Sequence, residues 1–228
     1  MQTNDKSILD LMKDIGAGKI QLPDFQRGWV WDDSRICGLI ASITQNFPVG
    51  AAMFLEYGNN NVHFKYRIIE GAPRSDAKPD FLILDGQQRL TSIYSSLCSS
   101  RAVKTKTDKS TPITRFYYID IPKAVDPSVD RMDAIISVPE NKQMTSNFGR
   151  KIDLDVSTAE KEYENKLFPL NIILDSVKAT QWQIGYMQYY QVDQAVCQEY
   201  LTFMSEIIQT VSHYQIPVIT LDKETPKE

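Results

Sequence analysis

Histidine and cysteine are scarce in this chain of 228 residues, with 2 and 3 copies. Cys37, Cys98 and Cys197 are odd in number, widely spaced and set in helix-like segments, so packed, reduced thiols are expected rather than a disulfide framework. No CxxC pair or His/Cys cluster is present, which leaves structural zinc unsupported. His63 and His213 each stand without metal-ligand company in the sequence. Long apolar runs are missing as well. Met1 to Lys19 is broken by Asp5, Lys6, Asp10, Lys13 and Asp14, which excludes a secretory core or membrane span there, and a cytoplasmic protein is expected. There is no excess of basic charge: 25 Lys and Arg against 29 Asp and Glu give a net charge of −4 and a pI near 5.3. A surface dominated by nucleic-acid phosphate contacts is therefore excluded, and only a local basic groove remains open. Internal repeats and low-complexity stretches are also absent.

What is present is a 42% hydrophobic chain, enough for a real core in one domain or in a domain carrying a large insertion. Ser7 reads as an N-cap before a helix with Ile8, Leu11, Met12 and Ile15 on one face, stopped by Gly16 and Gly18. Leu22 to Trp31 reads as extended or turning chain because of Pro23 and Gly28. Asp32 or Asp33 caps a second helix with Ile36, Leu39, Ile40 and Ile43 inward. Ala51–Tyr57 and Val62–Ile69 read as strands around the turn Gly58 to Asn61, and Gly71–Asp80 as a loop. Ser99–Thr114 reads as a polar, basic loop before a strand at Arg115–Ile121. Beyond it the pattern predicts a short strand at Ile135–Val138, a loop at Met144–Lys151 and a helix capped by Ser157 and Glu160 running through Leu167. A long helix from Val192 to Val211 and a strand at Ile216–Leu221 follow. The fold class is mixed α+β, divided as a core over 1–121, a mostly helical insertion over 122–212, and a returning strand with a truncated end over 213–228. That ending leads us to expect a fragment of a longer protein.

The richest stretch is Phe81 to Leu97. Phe81–Leu84 form a continuous apolar run suited to a buried strand, and Leu90, Ile93, Tyr94 and Leu97 follow at helical spacing. Between them, Gly86 permits a sharp turn, and a helix N-terminus there favours an anion. Asp85 can hold a divalent cation or accept a proton from water. Arg89 offers a bidentate clamp for phosphate, and Gln87 or Gln88 could orient a water. Gln26 and Arg27, held between aromatic anchors, add a second glutamine and a second guanidinium. The plainer reading has Asp85 capping the helix, Arg89 paired with it and both glutamines solvated. Arg101, Lys104, Lys106 and Lys109 are candidates for DNA or outer-phosphate contacts, against a merely solvated loop. Tyr186, Tyr189 and Tyr190 could stack bases, against packing on the long helix.

Taken together, Pro23-x-Phe25-Gln26-Arg27-x-Trp29-Val30-Trp31, then Phe47-Pro48-Val49-Gly50, then Leu84-Asp85-Gly86-Gln87-Gln88-Arg89-Leu90-Thr91-Ser92 resemble the N-terminal domain of GmrSD-type, modification-dependent restriction proteins. Phe168-Pro169-Leu170 and Ile216-Pro217-Val218-Ile219 extend the resemblance over nearly the whole chain. It implies a ParB/sulfiredoxin-like fold, a small mixed sheet with flanking helices, that binds and hydrolyses a nucleoside triphosphate with Mg²⁺. Gly86-Gln87-Gln88-Arg89 would handle phosphates, together with Gln26 and Arg27. The implied partners are modified phage DNA and an HNH-type nuclease in the remainder of the protein or a partner chain. No HNH pattern exists here, and no DNA cleavage is expected of this segment. Two other readings stand beside the triphosphatase: a nucleotide-gated sensor of modified DNA with little or no hydrolysis, and a ParB-like nuclease.

Overall fold

The computed structural model describes residues 2–58 and 64–222. Its principal sheet begins with β1 (Gln2–Ser7) and β2 (Ile20–Pro23), continues through β3 (Ala52–Glu56), β4 (Tyr66–Arg67) and β5 (Phe81–Asp85), and is completed by the last strand among the described residues. Three helices are threaded between these strands: α1 (Ile8–Gly16), α2 (Asp33–Thr44) and α3 (Gln87–Leu97). The capping logic read from the sequence holds for the first two. Ser7 accepts from the Asp10 amide, and Asp32 from the Arg35 amide. The apolar faces of α1 and α2 are buried, as their spacing requires.

A second sheet is built around β7 (Pro112–Asp120), which pairs with β6 (Val103–Lys106), β8 (Ile135–Pro139) and β11 (Leu167–Pro169). Short helices α4 (Ile121–Val125) and α5 (Arg131–Ala134) connect β7 to β8. A separate hairpin of β9 (Gln143–Ser146) and β10 (Lys151–Asp155) precedes α6 (Ala159–Glu164). The chain then runs through α7 (Ser176–Tyr189) and α8 (Gln194–Phe203), a π-turn at Met204–Ile208, and α9 (Gln209–Ser212), to end in β12 (Gln215–Leu221). The principal sheet therefore has the order β1-β12-β3-β5-β2-β4. β12 lies parallel to β3, and β2 parallel to β5, while the remaining neighbours are antiparallel. This is a mixed α+β fold. One continuous core joins Ile8, Ile40, Phe54, Ile83, Leu90 and Phe203. Residues 122–212 carry strands as well as helices, and pairing of β7 with β8 and β11 crosses position 121.

Several expectations are corrected. Ser99–Thr114 is not a loop throughout, because Val103–Lys106 form β6 against β7. Its lysines made a half-exposed edge strand look like solvated coil. Met144–Lys151 lies in the β9–β10 hairpin. The helix expected to run through Leu167 ends at Glu164, and its cap is Thr158 rather than Ser157. Leu167 and Phe168 leave that helix to be buried in β11. Of the strand expected at Val62–Ile69, only Tyr66–Arg67 pairs, while Val62 and His63 lie outside the described residues. β1 carried no sequence signal, being polar and ordered through its pairing with β12.

Candidate functional site

The site grows from the end of β5. Leu82 and Ile83 are fully buried, which fixes where the strand emerges. The chain then turns at Gly86, whose φ of +88° favours glycine. A Cβ there would lie 3.2 Å from both Cα and Cβ of Ala52, so space and conformation both call for glycine. Helix α3 starts at the next residue, and no side chain among the described residues caps it. Its first-turn amides therefore remain available to an anion.

The Phe25–Trp31 loop is laid across this corner by side-chain amides. Gln26 Nε2 donates to the carbonyls of Ile83 (2.9 Å) and Leu84 (2.7 Å). Gln87 Nε2 donates to the Arg27 carbonyl at 2.7 Å. Gln88 grips the loop twice, donating to the Gly28 carbonyl at 3.2 Å and accepting from the Val30 amide at 2.9 Å. Trp29 Nε1 donates to Ser92 Oγ at 3.0 Å. Thr105 on β6 donates to the Trp31 carbonyl at 2.8 Å, tying the loop to the second sheet. Between loop and helix lies a cavity of about 450 Å³ lined by Phe25, Arg27, Trp31, Asp85, Gly86 and Arg89, together with Gln26, Leu84, Gln87 and Gln88. That size is within the range of small-molecule sites.

The structure thus brings Gln26, Arg27, Asp85, Gly86, Gln87, Gln88 and Arg89 together. It also gives them unequal parts. Asp85 stands at the rim with its side chain 75% exposed, 3.8 Å from Arg89. In that setting the ion pair contributes little. Arg27 is exposed. Arg89 is mostly buried and donates through Nη1 to the Val49 carbonyl and through Nη2 to the Ala51 carbonyl, the latter at 2.8 Å. Arg67, which sequence reasoning did not single out, donates to the carbonyls of Gln26 (3.4 Å) and Arg27 (3.3 Å) and pairs with Glu70 at 3.0 Å. Only its place on a half-exposed strand could have drawn attention to it.

Other candidates lie elsewhere. Arg101 and Lys104 line a second cavity of about 670 Å³ with Trp29 and Phe116, while Lys106 sits farther along β6. Tyr186 is fully buried and stacks on Trp182 at 5.0 Å between ring centroids, so it serves the core. Tyr190 donates to the Tyr163 carbonyl at 3.0 Å, and Tyr189 is exposed. His213 is exposed, with Nδ1 2.8 Å from the Gln209 carbonyl. Burial pushes the Cys37 and Cys98 thiols up to about 12, so neither is a ready nucleophile. Among the described residues no group of three or more His, Cys, Asp or Glu side chains could hold a metal ion. No helix among them is long and apolar enough to cross a membrane.

Comparison with known proteins agrees with the motif geometry. The family described as GmrSD restriction endonuclease, N-terminal domain, matches residues 8–228. An uncharacterized protein of Methanocaldococcus jannaschii is 30% identical over 222 residues, which cover 95% of this chain and 35% of that protein. The chain accordingly spans about a third of the length of that relative. With a family match running from α1 to beyond β12, the chain belongs to the GmrSD restriction endonuclease N-terminal domain family.

Proposed function

We propose that this chain is the Mg²⁺-dependent nucleoside triphosphate binding and hydrolysis module of a cytoplasmic, modification-dependent restriction protein acting against phage DNA. One observation carries the reading: an uncapped helix N-terminus, an exposed carboxylate and an exposed guanidinium share one cavity of about 450 Å³. The free amides of α3 bind phosphate oxygens, and Arg27 neutralises charge at the outer end of the phosphate chain. Asp85 is the residue that would hold Mg²⁺ or accept the proton of the attacking water. A single carboxylate fits this ion, which commonly keeps its waters and shares its remaining positions with substrate phosphates. When bound, Mg²⁺ supplies Lewis-acid stabilisation of the phosphoryl oxygens. Arg89 acts as a positioning residue, shaping the pocket wall through Val49 and Ala51 while adding its positive field. Gln26, Gln87 and Gln88 hold the loop that carries Arg27.

In the longer protein this module would act with an HNH-type nuclease on modified DNA. Phosphate release by the purified chain tests the assignment, with Asp85→Ala and Arg27→Ala expected to lose turnover. Equal turnover in wild type and both variants would sink it.

A second reading is a nucleotide-gated sensor of modified DNA. It is favoured by the commitment of the glutamine amides to carbonyls of the loop and of β5, which leaves them poorly placed to orient water. Nucleotide binding with no phosphate release would select it. The ParB-like nuclease reading has less support, since Asp85 lacks companion ligands for two-metal chemistry among the described residues.

A further inference from the structure

Among the described residues, the β9–β10 hairpin pairs only with itself. Its tip, Asn147-Phe148-Gly149, holds consecutive positive φ angles of 51°, 56° and 81°. For an aromatic residue that conformation is costly. The result is a fully exposed Phe148, with Met144 and Ile152 also exposed along the strands. Yet the root is firmly held. The Val156 amide donates to the Lys142 carbonyl at 2.9 Å, and Lys142 Nζ lies 3.5 Å from buried Glu162. Glu162 in turn accepts from Tyr118 at 3.0 Å and Trp182 at 2.9 Å.

The charge around the tip indicates its partner. Arg150 and Lys151 add two positive charges beside Phe148, and the acidic residues of the hairpin, Asp153 and Asp155, lie beyond Ile152 toward its base. Thr145 and Asn147 add short polar groups suited to phosphate oxygens, while the Ser146 side chain is engaged by Asp153. Lys151 pairs with Asp153 at 3.0 Å, but both are exposed, so the pair is weak and exchangeable. We infer that this hairpin is a DNA-engaging wedge: Phe148 inserts between base steps of a duplex while Arg150 and Lys151 hold the flanking phosphates. Apolar wedges backed by cations are a recurring way to unstack and bend DNA. The inference concerns a surface separate from the triphosphate pocket and does not depend on hydrolysis.

The test uses the 228-residue chain, without nucleotide, and a short duplex carrying 2-aminopurine, whose fluorescence rises on unstacking. Wild type is expected to bind and to raise the signal. Phe148→Ala should abolish the rise and weaken binding by at least about fivefold, the lower limit for loss of one aromatic–base stack. Phe148→Trp should restore both. Arg150→Gln with Lys151→Gln should lower the magnitude of the log–log salt slope by about 1.8, as expected for two lost phosphate contacts. Because Phe148 is fully exposed, melting temperatures should not change. No binding by the wild type, no fluorescence rise, or a rise retained in Phe148→Ala would each overturn the wedge and leave the triphosphatase reading untouched.

Discussion

Arg89, on the first turn of α3, donates to the carbonyl of Val49 forty residues earlier in the chain, and its second nitrogen reaches Ala51. A lysine cannot span two carbonyls in this way. Arg89→Lys is therefore expected to lower unfolding free energy by about 1–3 kcal/mol, as for hydrogen bonds to a charged group. Arg27→Ala, at an exposed position, should leave stability within about 0.5 kcal/mol while reducing phosphate release about 100-fold. Denaturant unfolding and phosphate release, run on both variants, separate the two roles.

The glycines beside this arginine are restricted for related reasons. Gly50 has φ of +89°, and a Cβ there would collide with Arg89. Gly86 shares the left-handed conformation and lies against Ala52. Substituting alanine at either should cost about 1–3 kcal/mol. Gly28, with nothing within 4 Å of an added Cβ, is the control, and its alanine variant should stay near wild type in thermal unfolding.

Gln88 is expected to matter through the loop. In Gln88→Glu the acceptor for the Val30 amide survives, but the donor to the Gly28 carbonyl is replaced by a repelling oxygen. Limited proteolysis should cut the Phe25–Trp31 segment faster in this variant while the rest of the chain keeps its wild-type pattern. An unchanged cleavage map would argue against the loop-holding role.

Glu162 makes stability depend on pH. Burial raises its carboxyl above the ordinary glutamate range, against the lowering effects of Trp182, Lys142 and Tyr118. The folded state then retains a proton that the unfolded state has released. Its contribution is present at low pH and is lost as pH rises from about 4.3, the unfolded value, through the raised folded value. Unfolding free energy of wild type relative to Glu162→Gln should fall across that window. A pH-independent difference between the two would contradict the linkage.

The amphipathic helices were readable because their information is local. Ser7 and Asp32 cap the helices that follow them, and apolar residues at helical spacing bury one face of each. The apolar run at Phe81 and the turn at Gly86 likewise marked the strand-to-helix corner and the residues that surround it. Strands β1, β6 and β9 were not readable. They are short and polar or charged, and their backbone groups are satisfied by pairing, β1 with distant β12 and β6 and β9 each with the strand that follows it.

The sequence by itself determined where the caps of α1 and α2, their apolar stripes and the turn at Gly86 fall, since each depends on neighbours within a few residues. Only the tertiary structure decided what Gln26 and Arg89 do there, because their partners at Ile83 and Val49 are 57 and 40 residues away. Side-chain type fixes which hydrogen bonds a residue can make. Chain topology fixes which acceptors come within reach, and here it turns amides that could have oriented water into the ties that hold the pocket loop.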